Sequence, residues 1–211
     1  MKQGVACLLL SLTALSAAAA GDRYDVAVVE KDSHRRSHGA VIAPRVTESC
    51  EYYEVTGQDE KELRDQLTQH GNTWRDGKKY DSVTAWRVKW DYGYQQAEGT
   101  CGVEVFRASL DITFRYPKWV RNDDAPRLLT EKWDSYLQNL VMHEQGHRDL
   151  AVEAAADLSR AVAGLPPARS CAELDRQVRR LCHERMKQLN RDSEAYDEGT
   201  VHGFAQGAVF P

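Results

Sequence analysis

Hydrophobic and polar positions change their period once along this chain. In 83–94, Trp86, Val88 and Trp90 are separated by single polar residues. In 101–116, Phe106, Ala108, Leu110, Ile112 and Phe114 alternate with Arg107, Ser109, Asp111 and Thr113. Period two with β-branched and aromatic residues predicts half-buried strands, and Gly99 supplies the turn between them. A further strand is expected over 50–55 and a short edge strand over 24–29. Between these, Asp59 caps a helix from Glu60 to about His70, with Leu63 and Leu67 on one face and Gly71 ending it. This half reads as an antiparallel sheet with one helix on it.

After Asp123, Asp124 and Pro126 the spacing becomes helical. Trp133, Leu137, Leu140, His143, His147, Ala151, Ala154 and Leu158 recur every three or four residues, an inward stripe that Gly164, Pro166 and Pro167 stop. A second helix follows from about Ala172 to Tyr196, with Leu174, Val178, Leu181 and Leu189 on its apolar face. Strands first and long helices second predict an α+β fold.

Residues 1–20 change how the rest is read. Lys2, an apolar stretch from Val5 to Leu15 and Ala18-Ala19-Ala20 form a secretory signal peptide with its cleavage pattern. Residues 21–45 are polar enough to be a flexible arm. His34 and His38 within it are read as loop residues, not ligands. That leaves 46–211 as one domain, exported to a periplasm or beyond the cell, with no membrane span after cleavage. Hydrophobic residues at 42% and charged residues at 28% exclude a wholly disordered chain. Cleavage removes one lysine and takes the net charge from −4 to −5. Nucleic acid and anionic membrane surfaces therefore have no sequence-wide support as partners.

Export also changes the cysteines. Four remain in the mature chain: Cys50, Cys101, Cys171 and Cys182. An even count in an oxidising compartment favours two disulfides. On a continuous helix Cys171 and Cys182 stand about 16 Å apart, too far to bridge. Cys101–Cys171 with Cys50–Cys182 is the preferred pairing of the two that remain.

The chemistry is carried by His143-Glu144-Gln145-Gly146-His147, an HExxH string on the long helix. Residues i and i+4 share a helix face, so both imidazoles can reach one ion, and Zn²⁺ is the metal such sites take. Glu144 lies about 100° round the helix, where it can act as general base on a metal-activated water. A catalytic zinc needs a third ligand. Glu153 should point away on a straight helix, and Glu173, Glu184 and Glu194 lie on a densely charged helix. The terminal string Tyr196-Asp197-Glu198-Gly199-Thr200-Val201-His202-Gly203 is the better source. His202 is expected as the third ligand, with Asp197 as the alternative. Tyr196 is a candidate hydrogen-bond donor to the developing oxyanion.

From about Cys50 onward the chain resembles the bacterial predicted secreted zinc-dependent proteases, domain-of-unknown-function family 922. The resemblance is carried by the Tyr52–Gly57 segment, Thr84-Ala85-Trp86, the Cys101 strand and Pro117-Lys118-Trp119. It continues through HEQGH at 143–147, Cys171, YDEGTVHG at 196–203 and Gln206-Gly207. It implies a zincin-like, HExxH metallopeptidase domain, favours His202 over the scattered glutamates and suits a Cys101–Cys171 pair. The expectation is an exported zinc metallopeptidase acting on a peptide or protein substrate. The alternatives are a non-catalytic zinc-binding envelope protein and a zinc amidase acting on cell-wall peptides.

Overall fold

The computed structural model describes residues 40–211 except 75 and 76. The expected signal peptide, the strand expected at 24–29, and His34 and His38 lie outside the described residues. Six strands, β1 Ala40–Val41, β2 Arg45–Val55, β3 Asn72–Thr73, β4 Lys79–Tyr80, β5 Val83–Ala97 and β6 Thr100–Trp119, combine with three α-helices: α1 Glu60–His70, α2 Arg127–Ala163 and α3 Cys171–Thr200. The class is α+β, as the change of period predicts.

Helix α1 matches its sequence signals at both ends. The Asp59 carboxylate accepts from the Glu62 N–H at 2.8 Å, and the Gly71 N–H donates to Leu67 O. Leu63 and Leu67 are fully buried.

The sheet is mixed, not antiparallel. β6 is its long central strand. β5 runs antiparallel along one edge of β6, through the tight turn at Glu98–Gly99. β1 and then β2 run parallel to it along the other edge, with Val46 opposite Leu110 and Val55 opposite Trp119. The parallel pair arises because α1 and β3–β4 carry the chain across to the other edge of β6 at the same end, and β5 then runs back before β6 begins, a long connection of the kind parallel strands require. Alternation records which face a residue takes, and β2 alternates equally well beside a parallel neighbour.

One irregularity sets the faces of β6. Gly93 pairs with Val105 and Tyr94 with Val103, so Glu104 is an extra residue. Before it Cys101 and Val103 face the core, and after it Phe106, Ala108, Leu110, Ile112 and Phe114 do. A one-residue bulge shifts the alternation by one, which is what keeps both sets inward.

α2 and α3 cover this inner face and divide the core in two. One cluster joins Leu63, Leu67, Leu110, Ile112 and Phe114 to Trp133, Tyr136 and Phe210. The other joins Cys101, Val103 and Phe106 to Leu158, Val162, Leu174, Val178 and Cys182. Among the described residues no helix is long and apolar enough to cross a membrane.

Cys101 and Cys171 form a disulfide, with Cα atoms 5.0 Å apart. The second pairing fails: Cys182 is a free thiol in the second cluster, while Cys50 packs against the first. Burial pushes the Cys182 thiol up to about 11, which leaves it protonated and unreactive. The Cys101–Cys171 bond spans a separation of 70 residues. By loop-closure entropy it contributes about 4 kcal/mol. Replacing both cysteines with Ser is therefore expected to lower stability by about that amount in urea unfolding. A loss under about 1 kcal/mol would show that the paired backbone of Cys101 and Ala168 already fixes this corner.

Candidate metal centre

Two helical i, i+4 pairs face each other across the α2–α3 packing. His143 and His147 come from α2, and Ser193 and Asp197 from α3. α3 extends past Tyr196 to Thr200, so Asp197 lies on the helix rather than in a loop after it. Its Oδ1 receives both imidazoles: His147 Nε2 lies 3.0 Å away and His143 Nε2 3.3 Å away. The far nitrogens are also held. His143 Nδ1 donates to Gln206 Oε1 at 2.9 Å, and His147 Nδ1 contacts Ser193 Oγ at 2.9 Å. An amide oxygen can only accept, so the Gln206 contact leaves His143 Nε2 as the lone-pair nitrogen, turned inward.

Burial works against a charged His143, but its hydrogen bonds to Asp197 and Gln206 outweigh that and raise its pKa. Burial also works against an ionised Asp197, yet the two histidines hold its carboxyl well below the usual range. Imidazole nitrogens and a carboxylate oxygen thus converge on one point, an arrangement that either a shared proton or a metal cation can fill. The three residues form a metal-competent group, their ligand atoms within 4.8 Å of one another. Ligands at 2.0–2.1 Å around a tetrahedral zinc ion stand about 3.3 Å apart, close to the two N···O separations here. The donor set of two imidazoles and a carboxylate suits zinc.

Glu144, one residue on from His143, is buried and points into the same cleft. Ser82 Oγ donates to its Oε1 at 2.5 Å, and Thr84 Oγ1 to its Oε2 at 2.5 Å. Both hydroxyls come from the start of β5, so the sheet holds the carboxylate while the helix supplies it. Asp81, just before Ser82, anchors that corner. It pairs bidentately with Arg64, accepts from the Tyr136 hydroxyl at 2.8 Å, and offers its carbonyl to the Tyr53 hydroxyl at 2.8 Å. Ser82, Thr84, His143, Glu144, His147 and Asp197 line one cleft of about 710 Å³.

Tyr196 does not line this cleft. Its ring stacks on His143 at 5.2 Å, and its hydroxyl donates to His143 O at 3.2 Å and accepts from Gln206 Nε2 at 3.1 Å. The expected oxyanion donor is therefore a residue that seats a histidine from behind. Gly146 makes this possible: a Cβ there would lie 2.1 Å from the Tyr196 hydroxyl.

His202, expected as the third ligand, stands outside the compact group, with Nδ1 3.7 Å from Asp197 Oδ1 and its side chain half exposed. It follows the end of α3 in a left-handed turn, with φ of 52° at Val201, 50° at His202 and 81° at Gly203. That conformation costs an L-residue about 1–2 kcal/mol. Gly203 takes it without penalty and lies directly against the His143 ring, where a Cβ would sit 3.1 Å from Cγ. Of the other acids weighed, Glu153 and Glu184 are exposed and absent from the cleft, and so is Glu173. Glu194 is on its wall.

Sequence reasoning did not single out Ser82, Ser193 or Gln206 for a role at the site. Thr84 and Gln206 did fall within the segments that carry the family resemblance. Gln206 and Ser193 orient the imidazoles, and at a metal site such partners are worth about 10–100-fold in affinity. Ser193→Ala and Gln206→Ala are each expected to weaken metal binding at this group by about that factor in a chelator competition titration. Unchanged affinity in both would show that the rings are held by packing alone.

A family model for bacterial proteins of unknown function, DUF922, matches residues 50–203. No curated protein and no solved structure matches the chain.

Proposed function

The chain belongs to this family of bacterial proteins of unknown function, and we propose from its site that it is an exported zinc metallopeptidase, zincin-like in its HExxH helix. The observation that carries the reading is the convergence of His143, His147 and Asp197 beside a cleft into which Glu144 also points. His143, His147 and Asp197 would hold the zinc, and three protein ligands leave a position for water or substrate, as catalytic sites require. Bound there, zinc would supply Lewis acidity, polarising a carbonyl and making water acidic near neutral pH.

The remaining work falls to the chain's own groups. Glu144 takes a proton from the attacking water at a carboxylate oxygen and passes it to the departing nitrogen. Each of its oxygens accepts one hydroxyl, from Ser82 or Thr84, and retains a lone pair for that proton. The two hydroxyls fix the carboxylate in one orientation, which positions it for transfer in the substrate complex. Tyr196, Gln206 and Ser193 keep the imidazoles aimed.

The Cys101–Cys171 disulfide is compatible with a periplasmic or extracellular location. The test is direct. Protein purified from the periplasm should hold about one zinc per chain and cleave labelled casein, with loss of cleavage on adding 1,10-phenanthroline and return on adding zinc. Absence of zinc after metal-replete purification sinks the reading. Zinc without cleavage of casein or of peptidoglycan peptides would leave a binding protein instead. Cleavage of the peptidoglycan peptides alone would make it an amidase.

A further inference from the structure

Peptide hydrolysis needs a donor for the oxygen that becomes negative, and the hydroxyls around this site are already committed. Ser82 and Thr84 bond Glu144, Ser193 contacts His147, and Tyr196 bonds the His143 carbonyl outside the cleft. Two of the cations along the cleft are engaged as well: Arg64 forks onto Asp81, and Lys79 bonds the Gln69 carbonyl. His202 differs. Its imidazole lines the cleft, is 48% exposed, and stands near the Asp197 carboxylate.

Its position is set by the backbone. The His202 N–H donates to Asp197 O at 2.7 Å, closing α3, and the left-handed φ values at Val201 and His202 turn the chain back over the ligands. On the far side, the Tyr80 ring packs against the imidazole at 5.2 Å. Nδ1 stands 3.7 Å from Asp197 Oδ1, beyond hydrogen-bond distance, so the ring proton is free to sit on Nε2, the nitrogen left for a ligand. A strained backbone at a cleft lip, supported on both sides, is the kind of over-determined position that functional sites maintain.

We infer that His202 is a catalytic residue rather than a zinc ligand: it donates a hydrogen bond from Nε2 to the carbonyl oxygen of the scissile peptide as that oxygen becomes negative. The inference rests on the zinc peptidase reading above. Water oxygen bonds to the carbonyl carbon while its proton goes to Glu144. The C=O π pair moves onto the oxygen, which His202 stabilises. The pair returns as the C–N bond breaks, and the proton held by Glu144 goes to the nitrogen, leaving a carboxyl and an amine. The hydrogen bond strengthens as charge develops, so it accelerates the step more than it tightens substrate binding.

The variant to make is His202→Asn, because Asn tolerates a left-handed backbone but is too short to reach the substrate. Asp197→Ala is its counterpart. Zinc affinity is measured by chelator competition, and kcat and KM on labelled casein. His202→Asn is expected to keep zinc affinity within about twofold and KM within about threefold, while kcat falls about 10²–10³-fold. Asp197→Ala is expected to lose zinc affinity at least about 100-fold. Parallel loss of zinc in both variants overturns the inference, since His202 would then be a ligand, and leaves the peptidase reading intact. Retained zinc with unchanged kcat also overturns it. A wild-type protein that holds zinc but cleaves neither casein nor peptidoglycan peptides overturns both.

Discussion

Glu144→Gln is expected to lower casein cleavage about 10³-fold or more while leaving one zinc per chain in place. The two effects separate because Glu144 is outside the metal-competent group of His143, His147 and Asp197. The exchange is nearly isosteric. A Gln side chain can still accept from one of Ser82 and Thr84 and donate to the other, since a hydroxyl serves either way. Folding should therefore be little affected, and what disappears is a carboxylate able to take a proton. Measurement of bound zinc, thermal midpoint and kcat on the same preparation checks this. Activity within about tenfold of wild type would remove Glu144 from the mechanism, because a general base contributes about 10²–10⁴. Loss of zinc would mean that the carboxylate supports the ligands rather than the reaction.

Gly146→Ala is expected to destabilise the protein, and helix propensity alone assigns it the wrong sign. Ala in a helix interior is favoured over Gly by about 1 kcal/mol. Here the added Cβ would fall 2.1 Å from the Tyr196 hydroxyl and 2.3 Å from its Cζ. The phenol ring would have to move, giving up its stacking on His143 and its bond to the His143 carbonyl. Overpacking of this kind costs about 1–3 kcal/mol, and the lost hydrogen bond adds about 1 kcal/mol. The expected outcome is a net loss of about 1–3 kcal/mol and zinc binding weakened at least about tenfold, because His143 loses its backing. A double-mutant cycle makes this sharp. In a Tyr196→Ala background the same Gly146→Ala change should cost nothing or stabilise by up to about 1 kcal/mol. Equal costs in the two backgrounds would mean that Tyr196 is not what the glycine accommodates.

Much of the frame was legible because its signals are local. Asp59 and Gly71 bracket α1, Pro126 and Gly164 bracket α2, and the alternation on either side of Gly99 marks the β5–β6 hairpin. His143 and His147 were legible for the same reason, since i and i+4 share a face on any helix. What escaped depends on contacts between distant segments. The direction of β2 relative to β6 follows from α1 crossing to the far edge and β5 making the return run, which no property of 45–55 records. The helix expected to end near Tyr196 runs one turn further, to Thr200, and puts Asp197 on the face of Ser193, whereas the preference for His202 leaned on the family resemblance. Tyr196 was legible as a phenol beside the site, but the face it takes is decided by the absence of a side chain at Gly146. Ser82 belongs to no motif, Thr84 only to a segment of the family resemblance with no role attached, and the register that starts β5 beside α2 is what gives them Glu144.

The bulge at Glu104 makes β6 tolerant of a length change at one point and intolerant around it. Deleting Glu104 leaves Val103 beside Val105, so ordinary alternation still turns Val103 and Cys101 toward the helices. Deleting Gly102 instead turns Cys101 to the outer face, away from Cys171, and exchanges a covalent tie for a stranded thiol. Two deletions of equal size, two residues apart, thus have opposite fates. Chains of this fold that differ in length here should gain or lose residues at the bulge.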